Sequence, residues 1–330
     1  MSAVVISVVV FALVFEFING FHDTANAIAT TVYTKALKAR HAIILAAVMN
    51  FFGAFVWEGV AKTISAGLTE TPAEEYVVLA AVLGAIVWNL ITWWRGFPSS
   101  SSHALIGSLL GATLVSTASF DAVKWIGVLE KVIIPLFSSP LIGFFVGFAI
   151  MRLIFKLFAN SSRTKVNGVF RKLQVVSAAL FAFSHGTNDA QKTMGIITLA
   201  LVSGGVLTAA DGVPLWVKIL CATAMALGTS AGGQRIMKTM GRGVTKLQPA
   251  SGFAAETTSA IVIEIMSFIG APVSTTHVIS SSVMGVGSAR RLSAVKWRTA
   301  RDIVLTWVIT LPIAAAIGGV SLLVVRFFLG

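Results

Sequence analysis

Two pairs of stretches place residues able to do chemistry inside otherwise apolar sequence. Gly20-Phe21-His22-Asp23-Thr24-Ala25-Asn26-Ala27 is echoed by Gly186-Thr187-Asn188-Asp189-Ala190-Gln191-Lys192-Thr193, so that Asp189 stands 166 positions after Asp23. Gly96-Phe97-Pro98-Ser99-Ser100-Ser101-Ser102-His103 is echoed 174 positions later by Gly270-Ala271-Pro272-Val273-Ser274-Thr275-Thr276-His277, and the register extends to Gly111 and Gly285. Carboxylates are costly in hydrocarbon, so two at matched places point to a shared, water-accessible functional site. Carboxylate and amide oxygens suit a hard cation such as sodium, and a protonated carboxyl can alternatively carry a proton. Proline followed by Ser and Thr has the form of a helix start, whose free N–H groups and dipole favour an anion. Two such starts entering from opposite sides can converge on one anion, with the hydroxyls of Ser100, Ser101, Ser102, Ser274, Thr275 and Thr276 as further donors. The competing structural readings are helix packing by the small residues and capping of the two helices by the aspartates.

Other polar groups in these stretches extend the candidate set. Lys192 stands where Asn26 stands in the first copy. It can contact the anion or neutralise Asp189, and Gln191 beside it is a further candidate. His103 and His277 are either proton carriers or neutral hydrogen-bonding partners. Glu256 is a possible gate or cation ligand, with Glu264, Glu58 and Glu16 behind it.

The elements that must position these groups are membrane helices. The 330 residues are 56% hydrophobic and only 12% charged, about half the charge of an ordinary soluble domain. Apolar runs near the ~20 residues needed to cross a bilayer recur throughout, without the alternation of a barrel. They read as spans at 3–34, 42–61, 76–94, 99–117 and 132–155, then 174–202, 215–231, 252–269, 274–288 and 303–328. The run from Ala3 to Ile18 lacks a basic n-region and an Ala-x-Ala site, and reads as a mature segment rather than a signal peptide. Cys221 is the only cysteine, so an intrachain disulfide is impossible and a small buried hydrophobe is expected. The tryptophans read mostly as interfacial anchors.

The net charge of +12 is distributed as a topology signal rather than as a nucleic-acid surface. If the spans alternate, one set of connections holds 19 of the 25 basic residues, including Lys35, Arg95, Arg163, Arg235, Lys238, Arg242, Lys246, Arg290 and Arg291. That set is cytoplasmic by the positive-inside rule, which leaves both termini outside. Five spans on each side of a basic connector give a first repeat over 1–158, a connector over 159–172 and a second repeat over 173–330. An odd number per repeat inverts the second copy, the pattern of secondary transporters with a midplane site. The expected fold is therefore an all-α polytopic membrane protein of two inverted repeats, with about 10–12 membrane segments. Spans 3–34 and 174–202 are too long for one crossing and read as broken helices. Spans 99–117 and 274–288 are short and rich in Ser, Thr and Gly, and read as half-helices or re-entrant hairpins. No zinc, P-loop or nucleophile-elbow motif is present, so no enzyme activity is expected and uphill transport would need a co-transported ion.

The stretch Gly20–Ala27 resembles the Gly-x-Asn-Asp-x-x-Asn-Ala signature of the PiT family of inorganic phosphate transporters. Ser184–Gly195 is similar to the bacterial form of its second copy, and the two Pro-x-Ser-rich-His segments fit as well. The resemblance covers both halves and essentially the whole chain. It implies sodium- or proton-coupled phosphate symport at the cell membrane, sodium being favoured, and a homodimer. By carry-over, Asp23 and Asp189 would hold the coupling cations with Asn26 and Asn188 assisting, while Ser100, Ser101, Ser102, Ser274, Thr275 and Thr276 would face phosphate. One departure stands out: His22 replaces the usual asparagine, which Asn188 keeps in the second copy. The competing functions are a sulfate transporter of the same fold, an anion channel, and an intramembrane aspartyl protease using Asp23 and Asp189 as its dyad.

Overall fold

A computed structural model describes the whole chain except residues 67, 71–72, 209, 232–236, 238–243 and 330, and the side chains of 24, 25 and 27. Arg235, Lys238 and Arg242 of the basic set thus lie outside the described residues. Among those described, secondary structure is helical apart from one isolated bridge between Thr69 and Val123. The helices are α1 (Ala3–Tyr33), α2 (Ala39–Gly53), α3 (Gly59–Ala66), α4 (Glu75–Arg95), α5 (Ser101–Thr117) and α6 (Trp125–Leu157). They continue with α7 (Arg163–Ser203), α8 (Leu215–Ala231), α9 (Pro249–Phe268), α10 (Thr275–Arg290) and α11 (Trp297–Leu329). Five of them, α1, α4, α6, α7 and α11, are long and apolar enough to cross a membrane.

Three expectations about the spans need correction. The two long ones are unbroken: α1 is 31 residues and α7 is 41, each helical straight through its polar motif. Neither motif contains proline, so nothing in it forces the backbone to open. The interruption falls instead inside 42–61, which splits into α2 and α3 around residues 54–58. The basic connector is also mostly helix, because α7 begins at Arg163 with Ser162 as its cap.

The short, small-residue spans are the re-entrant elements. After α4, Gly96 turns with φ +71°, the chain passes through an irregular segment at Phe97–Ser100 in which Ser99 N–H donates to the Phe97 carbonyl at 2.9 Å, and α5 starts at Ser101. After α9, Gly270 turns with φ +75°, and α10 starts at Thr275. Both turns sit in the left-handed region that glycine enters without steric cost. The base of each hairpin is closed by a backbone bond, Lys124 N–H to Leu68 O at 3.1 Å and Lys296 N–H to Val244 O at 2.9 Å. α5 packs on α11, and α10 on α6, so each short helix lies against a long helix from the other half of the chain. A Cβ on Gly111 would collide with the Ala315 carbonyl, and one on Gly285 with the Phe144 carbonyl. Close backbone approach at small residues replaces the hydrophobic drive that a bilayer withholds.

α1 and α7 run antiparallel through the middle of the bundle. Thr34 at the end of α1 donates to Gln174 near the start of α7 at 2.6 Å, while Glu16 accepts from Thr193. On α1 the buried polar residues Glu16, Asn19, Asp23, Asn26 and Thr30 recur at intervals of three and four, forming one stripe along a single helix face. On α7, Gln174, Ser177, His185, Asp189 and Lys192 form a similar stripe, with the apolar Phe181 filling the eight-residue gap between Ser177 and His185. The two stripes face one another, and the short helices close over their midpoint.

Candidate functional site

The tips of α5 and α10 meet at that midpoint. The start of each helix is built alike: Ser100 Oγ accepts from His103 N–H at 3.1 Å, and Ser274 Oγ accepts from His277 N–H at 3.3 Å. Each cap satisfies one first-turn amide. No hydrogen bond from the amides of Ser101, Ser102, Thr275 or Thr276 is found among the described residues. These are groups a helix cannot satisfy within itself, and the dipole adds partial positive charge to them. Ser102 Oγ also donates to the Val273 carbonyl at 3.3 Å, so the two tips touch directly.

The aspartates sit one on each tip. Asp23 Oδ2 accepts from Ser101 at 3.2 Å, and Asp189 Oδ2 accepts from Thr275 at 3.0 Å. Three residues further along each long helix, a second side chain crosses to the opposite tip. Asn26 Nδ2 donates to Thr276 Oγ1 at 2.8 Å, and Lys192 Nζ donates to Ser102 Oγ. Four hydroxyls are thereby held by two pairs of residues in a near-symmetric lattice, all of it buried.

Lys192 breaks the symmetry. Its ammonium donates to Ser102 Oγ, Asp189 Oδ1 and the Val273 carbonyl, which uses all three donors of a charged lysine. Asp23 has no such cation. Its Oδ1 receives His22 Nδ1 at 2.8 Å and Asn26 Nδ2 at 3.3 Å, and His22 Nε2 lies 3.2 Å from Thr92 Oγ1. The departure at position 22 therefore still supplies a partner to the first carboxylate.

His185 is the residue that reading the sequence missed. Its Nε2 lies 3.1 Å from Asp189 Oδ2, and its Nδ1 lies 3.1 Å from Asn50 Oδ1. Asp23, His185 and Asp189 each bring a ligand atom within 4.8 Å of the others. The signal was available, because both copies carry a polar residue four positions before the aspartate, Asn19 in one and His185 in the other. Two further acceptors, Asn26 Oδ1 and Asn188 Oδ1, are buried without a donor among the described residues. Carboxylate and orphaned amide oxygens are the donor set of a hard cation, so these residues fit sodium.

The remaining candidates are dispersed. Asn188 Nδ2 donates to Ser267 Oγ at 2.8 Å and the Ala271 carbonyl at 3.3 Å, holding the end of α9 and the segment leading to α10. Gln191 caps α3, accepting from Val60 N–H at 3.0 Å. His103 and His277 stack on each other at 5.0 Å, and His277 stacks on Trp307 at 4.1 Å. None of their four ring nitrogens has a hydrogen-bond partner among the described residues. Glu256 lies beside the site rather than in it. It accepts from Thr30 at 2.6 Å, Thr31 at 2.8 Å, Gln174 at 3.0 Å and Ser177 at 2.5 Å, which joins α9 to α1 and α7.

Comparison with known proteins gives this geometry its context. A profile of the phosphate transporter family matches residues 19–318, which takes in both motifs and both tips. The chain belongs to the phosphate transporter family. The transporter is 53% identical over 319 residues to the "Probable low-affinity inorganic phosphate transporter" of Bacillus subtilis (strain 168), covering 96% of this chain and 95% of that one. Its identity to the protein of the same name from Rhizobium meliloti (strain 1021) is 48%, with 94% and 93% coverage. Among solved structures it resembles one titled "The sodium-dependent phosphate transporter", with TM-score 0.84, 27% identity and coverage of 99% and 100%. The transporter is accordingly a multi-helical membrane protein of phosphate transport rather than an enzyme.

Proposed function

We propose that the chain is a cation-coupled phosphate symporter, sodium being the favoured cation, working by alternating access between two inverted repeats. The observation that carries the reading is the meeting of two hydroxyl-bearing helix tips, each with an aspartate bonded to its first residue. In this arrangement Ser101 and Thr276 donate to Asp23, Thr275 donates to Asp189, and Ser102 donates to the Val273 carbonyl. Phosphate entering between the tips draws Ser101, Ser102, Thr275 and Thr276, with their amides, onto its own oxygens. Asp23 and Asp189 then lose donors in a buried setting, and a buried carboxylate left unpaired is strongly disfavoured. Cations taken up at Asp23, Asp189, Asn26 Oδ1 and Asn188 Oδ1 restore the balance. Because binding linkage is reciprocal, each ligand tightens the other, which is the requirement for coupled movement.

Antiparallel α1 and α7, bearing matched motifs, support inversion of the repeats across the membrane. The basic ends of α6, α10 and the starts of α7 and α11 share one pole, which we assign to the cytoplasm. Ser2, Glu74, Glu75 and Arg326 gather at the other, consistent with both termini outside. A homodimer is part of the same proposal and rests on the family resemblance. Phosphate is favoured over sulfate because hydrogen phosphate carries a donor for which the adjacent carboxylates are acceptors.

The test is uptake of labelled phosphate into proteoliposomes under imposed sodium or pH gradients, with sulfate as competitor. Asp23→Asn and Asp189→Asn are expected to abolish gradient-driven uptake while the protein still elutes as a folded species. Unchanged sodium dependence in both variants would overturn the assignment.

A further inference from the structure

Away from the transport site, the basic pole contains a cavity of about 860 Å³, within the size range of small-molecule pockets. It is lined by Arg163, Lys246, Arg290, Arg291 and Lys296, and among the described residues no acidic one contributes to its wall. Arg163, Lys246, Arg290 and Arg291 take part in no ion pair among the described residues. Ser161, Asn167, Gln248 and Ser251 add neutral hydrogen-bonding groups. The starts of α7 and α9 face the cavity, and Lys296 immediately precedes α11, so three helix N-termini converge on it. The ends of α6 and α10 also reach it, and Arg290 and Arg291 offset the negative end of α10. Met151, Ile154, Phe155 and Phe158 add apolar surface to the lining, and Phe155 is 40% exposed.

We infer that this cavity is a second anion site, distinct from the transport site, that takes a phosphate-bearing anion larger than orthophosphate. A single phosphate would fill a small part of the volume and engage a minority of the cations. A molecule with several phosphoryl oxygens, either a soluble polyphosphorylated anion or an anionic phospholipid headgroup whose chain lies on Phe155, matches the charge and the space. Its position gives it leverage on transport. Thr275 and Thr276 begin α10 at the transport site, and Val286, Gly287 and Arg290 bring the far end of the same helix into the cavity. α7 likewise runs from Arg163 in the cavity to Asp189 in the site. An occupant bridging α6, α7, α9, α10 and α11 ties together elements that must shift in any change of access, and biases that equilibrium.

The experiment uses the full-length purified protein in a neutral detergent with saturating orthophosphate present, so that the transport site is already filled. Sodium tripolyphosphate and, separately, mixed micelles of detergent with phosphatidylglycerol are titrated while thermal unfolding is followed, with sodium sulfate at equal ionic strength as control. At least one is expected to raise the melting temperature saturably, and Arg290→Gln combined with Lys246→Gln to weaken its half-saturation about tenfold or more, as loss of charge-assisted contacts predicts. Ser101→Ala, in the transport site, is expected to leave that half-saturation unchanged. A response to tripolyphosphate alone identifies a soluble ligand, and one to phosphatidylglycerol alone a lipid. Absence of a saturable shift with either, or an equal shift in wild type and the charge variant, overturns the inference. If the double variant fails to fold, Arg291→Gln alone carries the same comparison. None of these outcomes depends on whether the transport reading is correct.

Discussion

Lys192→Asn is the perturbation that tests the charge logic of the site most sharply. Asn26 holds the equivalent place in the first repeat and reaches both Asp23 Oδ1 and Thr276 Oγ1. An asparagine at 192 can therefore make the mirror-image bonds to Asp189 and Ser102, and what is lost is the ammonium charge rather than hydrogen bonding. Asp189 is 1% exposed, and its remaining partners are Thr275 and His185. Removing the cation from such a buried pair costs about 3–5 kcal/mol. A sodium ion bound in its place at 100 times its dissociation constant would return about 2.7 kcal/mol. The variant should thus be markedly less stable than wild type in choline buffer and recover most of the difference in sodium. Its phosphate uptake should rise more steeply with sodium, by about one additional ion. Thermal unfolding in detergent across a choline-to-sodium series reads the first effect, and initial uptake rates in proteoliposomes read the second. Equal sodium responses in variant and wild type would refute the idea that Lys192 occupies the place of a cation.

Other outcomes follow from packing and from the carboxylate beside the site. Gly111→Ala and Gly285→Ala each drive a methyl group into a backbone carbonyl of a neighbouring helix and should destabilise by about 1–3 kcal/mol, seen as lower melting temperatures. Gly168→Ala, where a Cβ meets nothing within 4 Å, is the control and should be neutral or stabilising by up to ~1 kcal/mol. Glu256→Gln places an amide donor where the carboxylate accepts four hydrogen bonds, and should cost about 1–3 kcal/mol and reduce uptake. A variant melting like wild type would mean that this cluster adds nothing to the joining of α9, α1 and α7.

Much of the site was legible in the sequence because its parts are repeated. The 174-residue register predicts paired caps, and Ser100 and Ser274 are those caps. Lys192 and Asn26, matched in the sequence, each reach the opposite helix tip, whereas the aspartates do not cap the helices as the structural alternative expected: they accept from the hydroxyls of Ser101 and Thr275 rather than from backbone N–H groups. Helix continuity was not legible. The length rule for a membrane crossing marks 31 apolar residues as excessive, but it carries no information on whether neighbours satisfy the polar groups inside. Asn50, Thr229 and His185 were passed over for a related reason. Asn50 binds His185 and Thr229 across more than a hundred residues of sequence, and no local spacing encodes that contact.

Why the second aspartate carries its own cation and the first does not follows from the surroundings of each. Asp23 is supported by neutral donors, Asn26 and Thr276 on one oxygen and Ser101 on the other, together with the ring of His22, and under the proposed mechanism its charge is matched by a cation that arrives and leaves. Asp189 is matched by a lysine that cannot leave. A carrier whose two carboxylates both needed mobile cations would have to strip both of water and ions before returning empty. With Lys192 in place, Asp189 is neutralised in the empty state, so under the proposed cycle a cation is needed at that half only once phosphate draws its donors away, whereas Asp23 has no lysine to fall back on. The same asymmetry predicts unequal stability in two variants that both still fold: Asp23→Asn removes a carboxylate with no lysine on it, whereas Asp189→Asn leaves the buried Lys192 without its counter-charge and should lower the melting temperature more.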